Sequence, residues 1–127
     1  MHHTEGRRLK IGLAQINNSF SGHYYLPYSV GLLQAHLQAG LREPQKVEFL
    51  SPIFSRLRVE EAVERLESAD IVLFSTYVWN VNLSLAIAER LKQKKPGIVA
   101  IFGGPQIPDF SHELLSKHPF IDILVHG

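Results

Sequence analysis

Apolar residues gather along this chain into short continuous runs that alternate with stretches of helical spacing. Leu9 to Ile16 has β character and ends in the polar stretch Asn17-Asn18-Ser19-Phe20-Ser21-Gly22. From about Pro27 the spacing turns helical: Val30, Leu33 and Leu37 recur at i, i+3 and i+7, Pro27 suits a first helical turn, and Gly40 supplies a stop. Lys46 to Leu50 reads as a second strand. Val59, Ala62, Val63 and Leu66 then form one stripe of an amphipathic helix, with Glu60, Glu61, Glu64 and Arg65 outside. Asp70 to Ser75 holds the unbroken run Ile71-Val72-Leu73-Phe74, the pattern of a central strand covered on both faces. A helix follows near Leu83 to Lys95, with Leu83, Ile87 and Leu91 on one side. Its Lys92-Gln93-Lys94-Lys95 end complements the helix dipole and reads as solvated, and Pro96 stops it. Ile98 to Phe102 is the fourth strand. Asp109 or Ser111 caps a short helix carrying Leu114 and Leu115, which Pro119 ends, and Ile121 to Val125 is the fifth strand.

This alternation of strands and helices implies right-handed crossovers and a parallel sheet with helices on both faces. The fold class is α/β: a flavodoxin-like, Rossmann-like five-stranded parallel sheet of order 2-1-3-4-5. Residues 1–8 are expected to be a flexible leader and residues 9–127 a single domain. A closing helix is expected after the fifth strand, and its absence before Gly127 suggests the front part of a longer protein.

Composition narrows the function classes. At 127 residues the chain fits one domain of roughly 150 residues. Thirteen basic and twelve acidic residues leave +1, without the basic excess of a dedicated nucleic-acid binder. There is no cysteine, so this chain can build no disulfide, no cysteine zinc site and no iron–sulfur cluster. The N-terminus lacks the apolar core of a signal peptide, and no run approaches a membrane span of ~18 apolar residues. A cytoplasmic location and no membrane partner are the expectation.

In an open parallel sheet, ligands bind beyond the carboxyl ends of the strands, where the strand order reverses. That rule selects Asn17 to Leu26, Ser75 to Asn82 and Gly103 to Pro108, flanked by His126-Gly127. The first loop is rich in polar and aromatic residues. The second, Ser75-Thr76-Tyr77-Val78-Trp79-Asn80, opens on two hydroxyls at the end of a buried strand. In the third, Gly103-Gly104-Pro105, missing side chains let a flat or bulky group approach the backbone. Together they suit a large, partly apolar ligand. No G-x-G-x-x-G follows the first strand and no G-x-x-x-x-G-K-[ST] occurs, so neither a dinucleotide nor a P-loop site is expected. The flavin-phosphate signature is weak, and Ser75-Thr76 stand where a response regulator needs its acceptor aspartate.

Leu26-Pro27-Tyr28-Ser29-Val30-Gly31-Leu32-Leu33, Asp70 through Asn80, Phe102-Gly103-Gly104-Pro105 and Ile121 through Gly127 together resemble the N-terminal cobalamin-binding domain of cobalamin-dependent radical S-adenosylmethionine enzymes. The matching blocks run from the first strand to the last residue; their order and spacing carry the resemblance. In that family an acidic Gly-Glu stretch and a radical domain with a C-x-x-x-C-x-x-C motif come next. The resemblance therefore implies cobalamin as this domain's cofactor. It places S-adenosylmethionine and a [4Fe-4S] cluster in a downstream domain of the same polypeptide, and makes methyl transfer or related radical chemistry the parent's activity. It matches Ser75 and Thr76, followed by Tyr77, to the serine-bearing turn that packs against the buried nucleotide tail. Gly103 and Gly104, followed by Pro105, match the glycine pair that lets the tail pass. Asn17, Leu26, Tyr28, His126 and Gly127 complete the cofactor-binding set. The cobalt-ligating motif D-x-H-x-x-G of methionine-synthase-type domains is missing: aligned on Gly31, it puts Leu26 at the Asp position and Tyr28 at the His position. Cobalt is then expected to lack a protein imidazole there, with the dimethylbenzimidazole tail still displaced into the pocket.

Plainer readings stand beside these. His23 suits a surface loop, Trp79 a core or an interface, and His36, His112 and His118 solvated helix positions. Ser75-Thr76 suit a helix cap, and Gly103-Gly104-Pro105 a tight turn. The leading expectation is a cobalamin-binding module with no catalysis and no metal ligand of its own. The alternatives are a flavodoxin-like regulatory or interaction domain with a vestigial pocket, and a flavodoxin-type electron carrier. An uncovered fifth-strand edge also invites a homodimer.

Overall fold

The computed structural model describes residues 8–16, 19–20, 23–24, 35, 38–53, 57–76, 80–103 and 115–125. Its principal sheet contains β1 (Leu9–Ala14), β4 (Val47–Phe49), β5 (Ile71–Ser75), β6 (Val99–Gly103) and β7 (Ile123–Leu124). Between β1 and β4, β2 (Ser19–Phe20) and β3 (His23–Tyr24) pair as a small antiparallel unit. The large sheet is parallel throughout, in the order β4-β1-β5-β6-β7. Counted along its own strands this is 2-1-3-4-5, the order expected from the alternation of runs.

Helices α1 (Val59–Leu66) and α2 (Val81–Lys94) cover one face. Ala62, Val63 and Leu66 of α1, and Ile87, Ala88 and Leu91 of α2, pack on Ala14, Val72, Phe74, Ala100 and Phe102. Period-2 alternation sends Ile11, Leu13 and Leu73 to the opposite face, where they gather with Val47 and Phe49. Gly12 lies on the first face, and its missing side chain brings α1 close. A Cβ there would stand 2.8 Å from Leu66 Cδ2 and 3.4 Å from Val72 Cγ2.

The strand ends refine the expected boundaries. β4 stops at Phe49 because Pro52 has no N–H to donate. Pairing with β1 resumes one residue later, where Ile53 N–H donates to Leu13 O at 2.9 Å and Gln15 N–H to Ile53 O at 3.0 Å. β1 ends as a regular strand at Ala14 within the run to Ile16. β7 is shorter than Ile121–Val125, yet Asp122 N–H and Val125 N–H donate to Ala100 O and Phe102 O, so the pairing spans that stretch. Pro44–Lys46 forms a 3-10 turn where the second strand was expected to begin. Of the helix expected from Pro27, residues 35 and 38–40 are described and helical, and of the short helix near Leu114, residues 115–117.

Charged side chains fasten the amino ends of the strands. The Asp70 carboxylate accepts from Lys10 N–H at 2.9 Å, and the Asp122 carboxylate accepts from Ala100 N–H at 2.8 Å. Lys92 Nζ reaches Asp122 at 2.7 Å and donates to Ile98 O, Lys95 Nζ donates to Ala69 O, and Lys94 pairs with Glu67. The lysine-rich end of α2, read from sequence as solvated, is thus anchored to the sheet through Lys92 and Lys95, whose ammonium groups donate to carbonyls at the strand starts. No helix among the described residues is long and apolar enough to cross a membrane.

Candidate functional site

β1, β5 and β6 deliver the chain to one edge of the sheet. Register places Ser75 directly beside Gly103. Both lie on the face opposite α1 and α2, because Phe74 and Phe102 point into the covered core. Both are half-buried. A Cβ built on Gly103 would sit at ordinary contact distance, 3.7 Å from Val125 Cβ. Described neighbours therefore do not demand glycine here. Among the described residues, the missing side chain of Gly103 faces Val125 and stands next to Ser75.

Two buried polar residues hold this edge together. Thr76 is fully buried; its N–H and its Oγ1 hydroxyl both donate to Gly103 O, at 2.7 and 2.8 Å. Asn80 precedes α2 and is 1% exposed. Its side chain makes no cap bond to its own helix. Nδ2 donates instead to Ile16 O at 2.8 Å and Ser75 O at 3.1 Å, joining the ends of β1 and β5. Ser75 and Thr76 do not cap α2; the residue at its N-cap is Asn80. Sequence reasoning placed Asn80 in the second loop without giving it a role. An asparagine immediately before a helical pattern was the available signal, and it suggests a local cap. The bonds to carbonyls outside the helix are not readable from it.

Of the expected cofactor-binding residues, the structure brings together Ser75, Thr76 and Gly103. Asn17, Leu26, Tyr28, Tyr77, Gly104, Pro105, His126 and Gly127 lie outside the described residues, as do Trp79, His36 and His112. The backbone of His23 belongs to β3. His118, expected on a solvated helix face, is half-buried and sits edge-on to Phe120, ring centroids 5.5 Å apart. It borders a shallow groove of about 490 Å³ that includes Leu85, Glu89 and Phe120, on the flank of α2 and away from Ser75 and Gly103. Among the described residues no group of three or more metal-binding side chains comes together.

An α/β domain built on a parallel sheet of order 2-1-3-4-5 is the class these observations define. Residues 10–127 match the family described as B12 binding domain. Over 103 residues the chain is 32% identical to 2-(S-pantetheinyl)-carbapenam-3-carboxylate methyltransferase of Streptantibioticus cattleyicolor. Over the same length it is 31% identical to the cobalamin-dependent radical SAM methyltransferase TokK of Streptomyces tokunonensis. Each match covers 81% of this chain and 15% of the relative, so the chain spans a small part of the length of the curated relatives it matches. This chain belongs to the B12-binding domain family. The resemblance noted in the sequence is thereby confirmed.

Proposed function

We propose that this chain is the cobalamin-binding module of a radical S-adenosylmethionine enzyme whose parent reaction is methyl transfer or related radical chemistry. The observation that carries the reading is the register of Ser75 beside the bare Gly103 at the sheet's ligand edge. When bound, cobalamin supplies a cobalt centre able to carry a methyl group. Ser75, Thr76 and Tyr77 border the nucleotide tail, and Gly103, Gly104 and Pro105 leave room for it. Asn17, Leu26, Tyr28, His126 and Gly127 complete the surround. With leucine and tyrosine at the positions of the D-x-H pair, this chain would offer cobalt no histidine from that position, and the tail would still lie displaced in the pocket. With no cysteine in the chain, the [4Fe-4S] cluster and S-adenosylmethionine belong to a downstream radical domain, and this module performs no catalysis. A cytoplasmic location goes with that chemistry.

A visible-absorption titration of the full natural polypeptide with hydroxocobalamin, followed by gel filtration, tests the reading. Retained colour with a tail-displaced spectrum is expected. Failure to retain cobalamin overturns the assignment, and retention of a flavin instead supports the electron-carrier alternative. A spectrum with histidine ligation through the motif position overturns the ligation mode alone. Pairing of two copies along β7 belongs to the same proposal. Ile123 is 46% exposed and Val125 51%, and an open strand edge is a template for association. Sedimentation at high concentration is expected to show a dimer, and a clean monomer removes this part.

A further inference from the structure

Three loops frame the proposed cofactor site, and each leaves the sheet at a residue held by one of two side chains. The first departs after Ile16, whose carbonyl accepts from Asn80 Nδ2. The second departs after Ser75 and Thr76; the Ser75 carbonyl accepts from the same Nδ2. The third departs after Gly103, whose carbonyl takes both the N–H and the hydroxyl of Thr76. A carbonyl oxygen has two lone pairs, and Thr76 meets both at Gly103. Because the peptide group is planar, fixing that carbonyl fixes the plane of the peptide bond by which the chain leaves β6.

We propose that Thr76 is a positioning residue for the cofactor site rather than a ligand of the cofactor. Its hydroxyl proton is committed to Gly103 O, so its effect on cobalamin runs through the direction of the chain that carries the glycine pair. Asn80 performs the matching task at the exits from β1 and β5. The site is thereby referenced to the connection from β5 to α2: Thr76 at its start and Asn80 at its end hold the points where the other two loops begin. This inference rests on the cobalamin reading above.

The test compares wild type with Thr76→Val and Thr76→Ser in the full natural polypeptide. Valine keeps the shape and the backbone N–H bond and deletes the hydroxyl; serine restores it. Three readouts are taken: the dissociation constant for hydroxocobalamin, the visible spectrum of the bound cofactor, and the thermal unfolding of the cofactor-free protein. Thr76→Val is expected to weaken binding by about three- to tenfold, the scale of one neutral hydrogen bond, with a smaller tail-displaced fraction in the spectrum. Thr76→Ser is expected to restore both. Wild-type binding with unchanged affinity and spectrum in Thr76→Val overturns the inference alone. Equal losses in Val and Ser overturn it as well, because they assign the effect to the methyl group. Absence of binding by wild type overturns the cobalamin reading, and the inference with it. A loss of unfolding temperature in Thr76→Val that serine rescues while affinity stays constant reduces Thr76 to a fold residue and also overturns it.

Discussion

Phe102→Ala is expected to lower the unfolding free energy by about 3–5 kcal/mol, the range for truncating a fully buried phenylalanine. The ring is inaccessible to solvent and stacks on Phe74, with centroids 4.7 Å apart and planes inclined by 22°. The two residues are register partners on neighbouring strands, and Phe102 also pairs with Leu124 on β7. Its removal therefore opens a void between the sheet and its covering helices, beside Phe74. The backbone around it is pinned by ladder bonds and cannot collapse to refill the space. A domain of this size holds about 5–15 kcal/mol in total, so the variant should stand near its unfolding limit. Denaturant unfolding followed by circular dichroism measures the loss. A change below about 1 kcal/mol would mean that the core repacks freely, against the close packing described for this face.

Asn80→Asp is the second large effect, and it acts without changing volume. The asparagine NH₂ group faces two carbonyl oxygens, Ile16 O and Ser75 O, in a site 1% exposed. An ionised carboxylate there sets a negative oxygen against both carbonyls in a desolvated site and turns two attractions into repulsions, at a cost of about 3–5 kcal/mol. The sign with pH follows. The aspartate has a folded-state pKa raised above its unfolded value of about 4, so the native state binds the extra proton between those two values. The deficit relative to wild type is smallest below about pH 4, grows as pH rises, and is complete above the raised pKa. Thermal unfolding of both proteins across that range checks this. A deficit independent of pH would show that geometry, not charge, is responsible.

The architecture was legible because its signals are local and periodic. The run Ile71-Val72-Leu73-Phe74 announced a central strand, and Val59, Ala62, Val63 and Leu66 announced the stripe that α1 sets on the sheet. The carboxyl-edge rule then pointed to Ser75, Thr76 and Gly103 before any coordinates. The fastening of the edge was not legible. Asn80 and Ile16 are 64 positions apart, and Thr76 and Gly103 are 27 apart; spacing along a chain carries no record of such partners. Lys92 illustrates the same limit. A lysine at a helix end reads as solvated, and only the fold brings Asp122 and Ile98 O to it. The β2–β3 pairing was hidden because strands of two residues are too short for alternation to register.

The two ends of the sheet are fastened by different chemistry, and this divides the molecule electrostatically. Lys92, Lys95, Asp70 and Asp122 work at the amino ends, whereas neutral Thr76 and Asn80 work at the carboxyl ends. Among the described residues, the two side chains that hold the exits from β1, β5 and β6, Thr76 and Asn80, are neutral. The fastening at those exits is therefore indifferent to salt, whereas the lysine–carboxylate contact between Lys92 and Asp122 at the amino ends weakens as salt screens it.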